Sequence, residues 1–245
     1  MYRVPATLTI ITPAIMLSIF LLLPFVYDFI AIAISSIAAG NVTMLEAATT
    51  PNGKYEKVHD LGCGGGRHVL FFASKHYKVT GSDLSPVGLE FTKNQLKKGN
   101  LYARLVLCPM TNLPFKNNEF DVTVSRATIN HASLQDMKRS IYEAARTTRK
   151  GGLFFITFIS DRSSEWGKGM VAVPNLSYMP KSGPEKGLIH TFLNASEAAA
   201  LVESFFRIEE MFLSEHPPLI KKATGIKGKK NMYFGSEYII IGVRK

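Results

Sequence analysis

Cysteine is nearly absent: Cys63 and Cys108 are the only two in 245 residues. Two thiols build neither a disulfide framework nor a four-thiolate zinc site, and no metal site is expected. They read as small, half-apolar residues of a reducing compartment. Acid is in deficit, with 19 Asp and Glu against 29 Lys and Arg and a formal net charge of +10. Such a balance suits anionic lipid, nucleic acid, an anionic metabolite or plain solubility, and selects none of them. No repeat of solenoid or propeller period occurs, and glycine shows no triplet period. Hydrophobic residues at 46% and charged ones at 20% exclude a wholly disordered chain.

Charge is missing altogether between Val4 and Tyr27. A membrane-spanning helix needs about 20 apolar residues, and VPATLTIITPAIMLSIFLLLPFVY is long enough. Asp28 interrupts the run, and FIAIAISSIAAG continues it to Gly40. Residues 1–40 therefore read as a hydrophobic membrane-anchor helix, with residues 4–39 in contact with the bilayer. Pro13 and Pro24 are better tolerated there than in a soluble helix. A cleavable signal is one alternative, since SIAAG offers small residues, although Arg3 alone precedes an overlong apolar run. A buried N-terminal hairpin is another. Basic residues lie mostly after the run, starting with Lys54 and Lys57, which places the C-terminal side in the cytoplasm. Residues 41–57 are small, polar and turn-rich and read as a linker to a domain over 58–245.

That domain opens on VHDLGCGGGRHVLFFA. A short strand ends near Asp60, a turn follows with Gly62, Gly64 and Gly66, and a helix begins near Arg67. Glycine in such a turn permits positive φ and lets a ligand approach the backbone. The helix start offers free N–H groups and a positive dipole end. Arg67 stands where a dinucleotide site has its third glycine, which disfavours an NAD-binding dehydrogenase. No Gly-Lys-Ser/Thr follows, so the turn is not a phosphate loop. A second strand, KVTGSDL, ends at Asp83, 17 residues after Gly66. In a doubly wound sheet that spacing suits a carboxylate accepting from ribose hydroxyls; the competing role is a helix cap, with Ser85-Pro86 next. Further strands are expected at 105–110 and 121–125. An amphipathic helix is expected over 134–149, ended by Gly151-Gly152, and LFFITFI follows it. Alternating strands and helices predict an α/β, doubly wound parallel sheet.

The series VHDLGCGGG, SDLS, NLPFKNNEFDVTVS and a strand preceded by Gly-Gly resembles the class I S-adenosylmethionine-dependent methyltransferases over about residues 55–160. GGGRH and WGKG…LIHTF are most similar to the small-molecule branch that includes the tellurite-resistance enzymes. The resemblance implies a Rossmann-like seven-stranded sheet with the last strand antiparallel, its final strands drawn from LVESFFRIEEMFL and SEYIIIGVRK. It implies S-adenosyl-L-methionine as cofactor. On matching positions, Gly62, Gly64 and Gly66 would pack beside the methionine part and ribose, and Asp60 would orient the amino group. Asp83 would hold the ribose hydroxyls with Leu84 beside the adenine. Met110 and Thr111 would approach the adenine, and Ser125 and Arg126 the methionine part and the transferred methyl. The pattern departs at Pro109, where the family often has an acidic side chain for the adenine amino group.

Methyl transfer needs the nucleophile held at near-attack distance, and a general base only if the acceptor is protonated. His131, after the fourth strand, and His190, after a long irregular stretch over 160–189, are the candidate catalytic residues. The expected function is methyl transfer to a small-molecule acceptor by a membrane-tethered enzyme. A nucleic-acid methyltransferase is a second reading that the charge allows, although no Asn-Pro-Pro-Tyr-like signature is present. A non-catalytic cofactor-binding scaffold is a third.

Overall fold

The computed structural model describes residues 56–183, 185–215 and 235–245. The hydrophobic run of residues 1–40, most of the 41–57 linker and the lysine-rich stretch 221–230 lie outside the described residues. Among the described residues, no helix is long and apolar enough to cross a membrane.

Five strands run parallel. They are β1 (Lys57–Leu61), β2 (Lys78–Asp83), β3 (Arg104–Leu107), β4 (Phe120–Ser125) and β5 (Thr148–Ile159). Two long strands complete the sheet: β9 (Phe206–Glu215) and β10 (Ser236–Arg244). The strand order is β3-β2-β1-β4-β5-β10-β9, and β10 is antiparallel to both of its neighbours. This is the seven-stranded sheet with an antiparallel last strand that the resemblance implied.

Helices α1 (Arg67–Ser74) and α2 (Pro86–Lys98) cover one face; α3 (Leu134–Thr147) and α4 (Ala195–Glu203) cover the other. Side-chain alternation in β5 shows why both faces need cover. Phe154, Ile156 and Phe158 join the α3–α4 core, while Leu153 and Phe155 join the α1–α2 core. A strand buried on both faces reads as an unbroken apolar run, as LFFITFI does. The chain changes face between β3 and β4, so β1 and β4 part at the topological switch point, where open α/β sheets bind ligands.

Gly151-Gly152 does not end a helix. α3 stops at Thr147, and β5 begins at once and contains both glycines. The pairing of β5 with β4 slips between Phe120 and Val122. A Cβ at Gly152 would lie 2.6 Å from the Asp121 carbonyl oxygen, so close backbone approach at this bulge requires glycine.

The stretch 160–189 is not irregular either. It holds β6 (Met170–Val173) and β7 (Ser177–Met179), which form a three-stranded antiparallel sheet with β8 (His190–Thr191). Trp166 fixes this small sheet, with its ring centroid 5.3 Å from Tyr178 and 5.9 Å from Phe192.

His59 occupies the centre of β1 with no exposed surface. Its ring stacks on Phe120 at 4.7 Å, and Nε2 lies 2.8 Å from the Ser82 Oγ. Burial pushes its pKa down from 6.5 to about 3, so the folded protein holds it neutral. The unfolded chain therefore binds a proton that the fold refuses. The contribution is absent above pH 6.5 and destabilising below it, growing as pH falls toward 3. We expect the stability of the native protein to fall by about 1.4 kcal/mol per pH unit from this residue across the middle of that window. Denaturant titrations at several pH values check it: His59→Phe should remove about one proton from the slope.

Candidate active site

The glycine turn is built from three different demands. Gly62, Gly64 and Gly66 all have positive φ, at 76°, 50° and 78°. A Cβ on Gly62 would strike the Thr128 side chain at 2.0 Å, and one on Gly66 would strike Thr92 at 2.3 Å. Those two glycines allow the turn to pack against the β4–α3 loop and against α2. A Cβ on Gly64 would meet nothing within 4 Å. Gly64 is the glycine that faces open space, and its backbone is what a ligand would touch.

Asp83 ties the turn to the end of β2. Its Oδ2 accepts from the Gly64 N–H at 2.7 Å and its Oδ1 from the Ser85 N–H at 2.8 Å. Ser85 itself caps α2, its Oγ accepting from the Gly88 N–H, with Pro86 at the first helical position. Asp83 is thus not the cap. Each carboxylate oxygen keeps a lone pair beyond the one its amide uses. The turn is closed by Gly62 N–H and Cys63 N–H donating to the Ser82 carbonyl at 2.8 and 3.0 Å. α1 begins at the left-handed Gly66 with no side-chain cap, and its positive dipole end lies at the turn.

A cleft of about 790 Å³ opens here. Gly62, Gly64, Asp83 and Leu84 form one wall, and Pro109, Met110 and Thr111 another. His131 lines it from the β4–α3 loop, and Leu188 and Ile189 line it from the loop before residue 190. The Met110–Thr111 loop is held from behind. Arg146 donates to the Leu113 and Phe115 carbonyls at 2.8 and 2.7 Å, and Glu143 accepts from the Leu113 N–H at 2.9 Å. Arg146 keeps the Glu143 carboxyl below its ordinary range, so this clasp is charged. Arg139 adds a bond to the Thr111 carbonyl at 3.2 Å.

Of the residues singled out in the sequence, Gly62, Gly64, Asp83, Leu84, Met110, Thr111 and His131 come together around this cleft. The others do not line it. Asp60 is buried beneath the turn, with Oδ1 3.7 Å from His68 Nδ1. Gly66 packs on Thr92. Ser125 is fully buried, and Arg126 turns away to pair with Glu237 at 3.2 Å. His190 lies behind His131, ring centroid to ring centroid 4.6 Å.

Sequence reasoning missed the cleft residues Ser82, Cys108, Thr128 and Asp136. Burial pushes the Cys108 thiol up, so it faces the cleft as a neutral group and not as a nucleophile. Thr128 had no signal: its role comes from donating to the Gly62 carbonyl at 3.1 Å, across 66 positions.

The cleft's features fit S-adenosylmethionine. A glycine turn at a helix start, a carboxylate with spare lone pairs at the end of the next strand, and apolar Leu84 and Met110 stand in one crevice at the switch point. A family model described as "Methyltransferase domain" matches residues 59–156. The chain is 28% identical over 120 residues to the "Probable tRNA methyltransferase 9B" of Mus musculus, 48% of this chain and 25% of that protein. It is 24% identical over 164 residues to the "Ubiquinone biosynthesis O-methyltransferase" of Klebsiella pneumoniae, 66% of this chain and 65% of that protein. The chain spans a quarter to about half the length of several curated relatives that it matches. Among solved structures it is similar to a SAM-dependent methyltransferase of Methanosarcina mazei, with TM-score 0.61 and 20% identity, over 78% of this chain and 93% of that one. TehB from Haemophilus influenzae gives TM-score 0.58 and 18% identity, over 82% of this chain and 61% of that one. The fold is Rossmann-like, and residues 59–156 match a methyltransferase domain of the S-adenosylmethionine-dependent kind.

The three glycines separate by experiment. Gly64→Ala should keep the melting temperature within a few degrees and weaken S-adenosylmethionine binding at least tenfold, because its methyl enters open space. Gly62→Ala and Gly66→Ala should lower the melting temperature sharply through collision with Thr128 and Thr92. Asp83→Ala should cost about 1.5–3 kcal/mol of cofactor binding, the scale of a lost charged hydrogen-bond partner. Calorimetry with differential scanning fluorimetry reads all four.

Proposed function

We propose that this chain transfers a methyl group from S-adenosylmethionine to a small-molecule acceptor bound in the cleft beside His131. The observation that carries the reading is the contact between the Gly64 amide and Asp83 at the edge of an open crevice. When bound there, S-adenosylmethionine supplies an electrophilic methyl on a sulfonium sulfur. The chain's own task is to hold the two partners and exclude water. Asp83 and the turn would fix the ribose and the methionine part. Leu84 and Met110 would enclose the adenine, with Pro109 leaving its recognition to backbone groups. The loop carrying Leu188 and Ile189 covers the acceptor side. His131 and His190 stand on that side, where an acceptor that carries a proton would lose it.

The lining supports one acceptor class over the other. Among the described residues no lysine or arginine lines the cleft, and its charged groups are Asp83 and Asp136. A nucleic-acid acceptor brings phosphates that need basic partners close by. An acidic, partly apolar crevice favours a small molecule. The uncharged run from Val4 to Tyr27 supports the further reading that the enzyme is tethered to a membrane with this domain on the cytoplasmic side.

The test uses the full chain with methyl-labelled cofactor and a panel of phenols, thiols, lipids, RNA and protein. Label should enter a small molecule, and His131→Ala should reduce turnover at least tenfold while leaving cofactor affinity within about twofold. Label entering RNA alone, or a folded protein that binds no S-adenosylmethionine, would reject the reading. Carbonate washing of membranes carrying the full chain tests the tether, which predicts retention in the pellet.

A further inference from the structure

His131, His190 and Glu185 bring their ligand atoms within 4.8 Å of one another. Two imidazoles and one carboxylate are a donor set that borderline divalent cations favour. The fold creates this meeting by hydrogen bonds from Thr191 to the carbonyls on either side of His131. The Thr191 N–H donates to the Asn130 carbonyl at 2.9 Å, and the Thr191 Oγ donates to the Ala132 carbonyl at 2.7 Å. β8 is therefore stitched to the β4–α3 loop, and His190 is pressed against His131.

The details point to an ion and not to a packed pair. His190 is 3% exposed, and its Nε2 is buried without a hydrogen-bond partner. His131 Nδ1 is likewise buried and unpartnered. Two such nitrogens in one place are a cost that a ligand would relieve. Glu185 Oε2 lies 3.4 Å from His190 Nε2, close to the edge of a tetrahedron of ligands around zinc, about 3.3 Å. On the far side, His190 Nδ1 is 3.8 Å from Glu165 Oε2. A carboxylate behind a ligating imidazole is the usual arrangement for fixing its tautomer and direction.

We propose that His131, His190 and Glu185 form a divalent-metal site on the acceptor side of the cleft. Three protein ligands leave a position free, and the cluster borders the cleft through His131. A cation there would take an oxygen or sulfur of the acceptor as its further ligand and raise that group's acidity. It also pins Glu185, on the exposed loop between β7 and β8, to the buried histidines. The acceptor role rests on the methyl-transfer reading above; the metal site itself does not.

The test is titration of the chelator-treated full chain with Zn²⁺, and with Co²⁺ as a spectroscopic probe, in the absence of cofactor and acceptor. One cation should bind per chain, and Co²⁺ should give the intense visible bands of a four- or five-coordinate site. His190→Ala and Glu185→Gln should each weaken Zn²⁺ at least tenfold, whereas His76→Ala, an exposed histidine outside the cluster, should leave it unchanged. Glu185 is exposed, so that variant keeps the fold even if His190→Ala does not. Absence of stoichiometric Zn²⁺ binding, or binding that Glu185→Gln and His190→Ala leave intact, overturns the proposal. Zn²⁺ binding by a chain that takes up no S-adenosylmethionine would uphold the metal site and reject the methyl-transfer reading instead.

Discussion

One carboxylate organises the ligand side of this molecule. Asp83 receives the Gly64 amide on one oxygen and the Ser85 amide on the other, so the loop after β1 and the loop after β2 share a single anchor. A charged acceptor gripping two backbone donors is stronger than a neutral pair and directional. With the turn so held, Gly62 and Gly66 are pressed onto threonines of two neighbouring segments, and Gly64 is left facing the crevice. The cleft is therefore a consequence of where β1 and β4 diverge and of which glycine has nothing above it.

The side of the cleft that carries His131 is assembled on a different principle. Its parts come from the β4–α3 loop and from a small antiparallel sheet inserted after β5. The join between them is Thr191, bonded to the carbonyls flanking His131. The Asp83 side of the cleft thus rests on a strand-and-helix frame, and the His131 side on loops joined to the small sheet.

Local features were legible from the sequence and distant ones were not. The strand–glycine–helix unit and Asp83 lie within one stretch of chain, and spacing alone placed them. The separate duties of the three glycines depend on Thr128 and Thr92, which no local pattern links to the turn. Gly151-Gly152 carried the sign of a helix end, yet serves a bulge whose partner is the Asp121 backbone. MVAV, set among glycines and a proline, gave no alternation to reveal β6. Ser125 and Arg126 sit at the expected strand end, but the first is buried in the core and the second is drawn to Glu237, 111 positions away. That His131 and His190 touch follows from strand pairing that neither residue announces.

The sheet's connectivity has a consequence for the order in which the protein can assemble. β10 follows β9 along the chain, yet it lies between β5 and β9 and is bonded along its length to both. Until it arrives, the growing polypeptide carries two strands with unsatisfied edges, one of them the phenylalanine-rich β5. The ribosome must release nearly the whole domain before those edges can close, and in that interval the nascent chain is most open to pairing with the wrong neighbour.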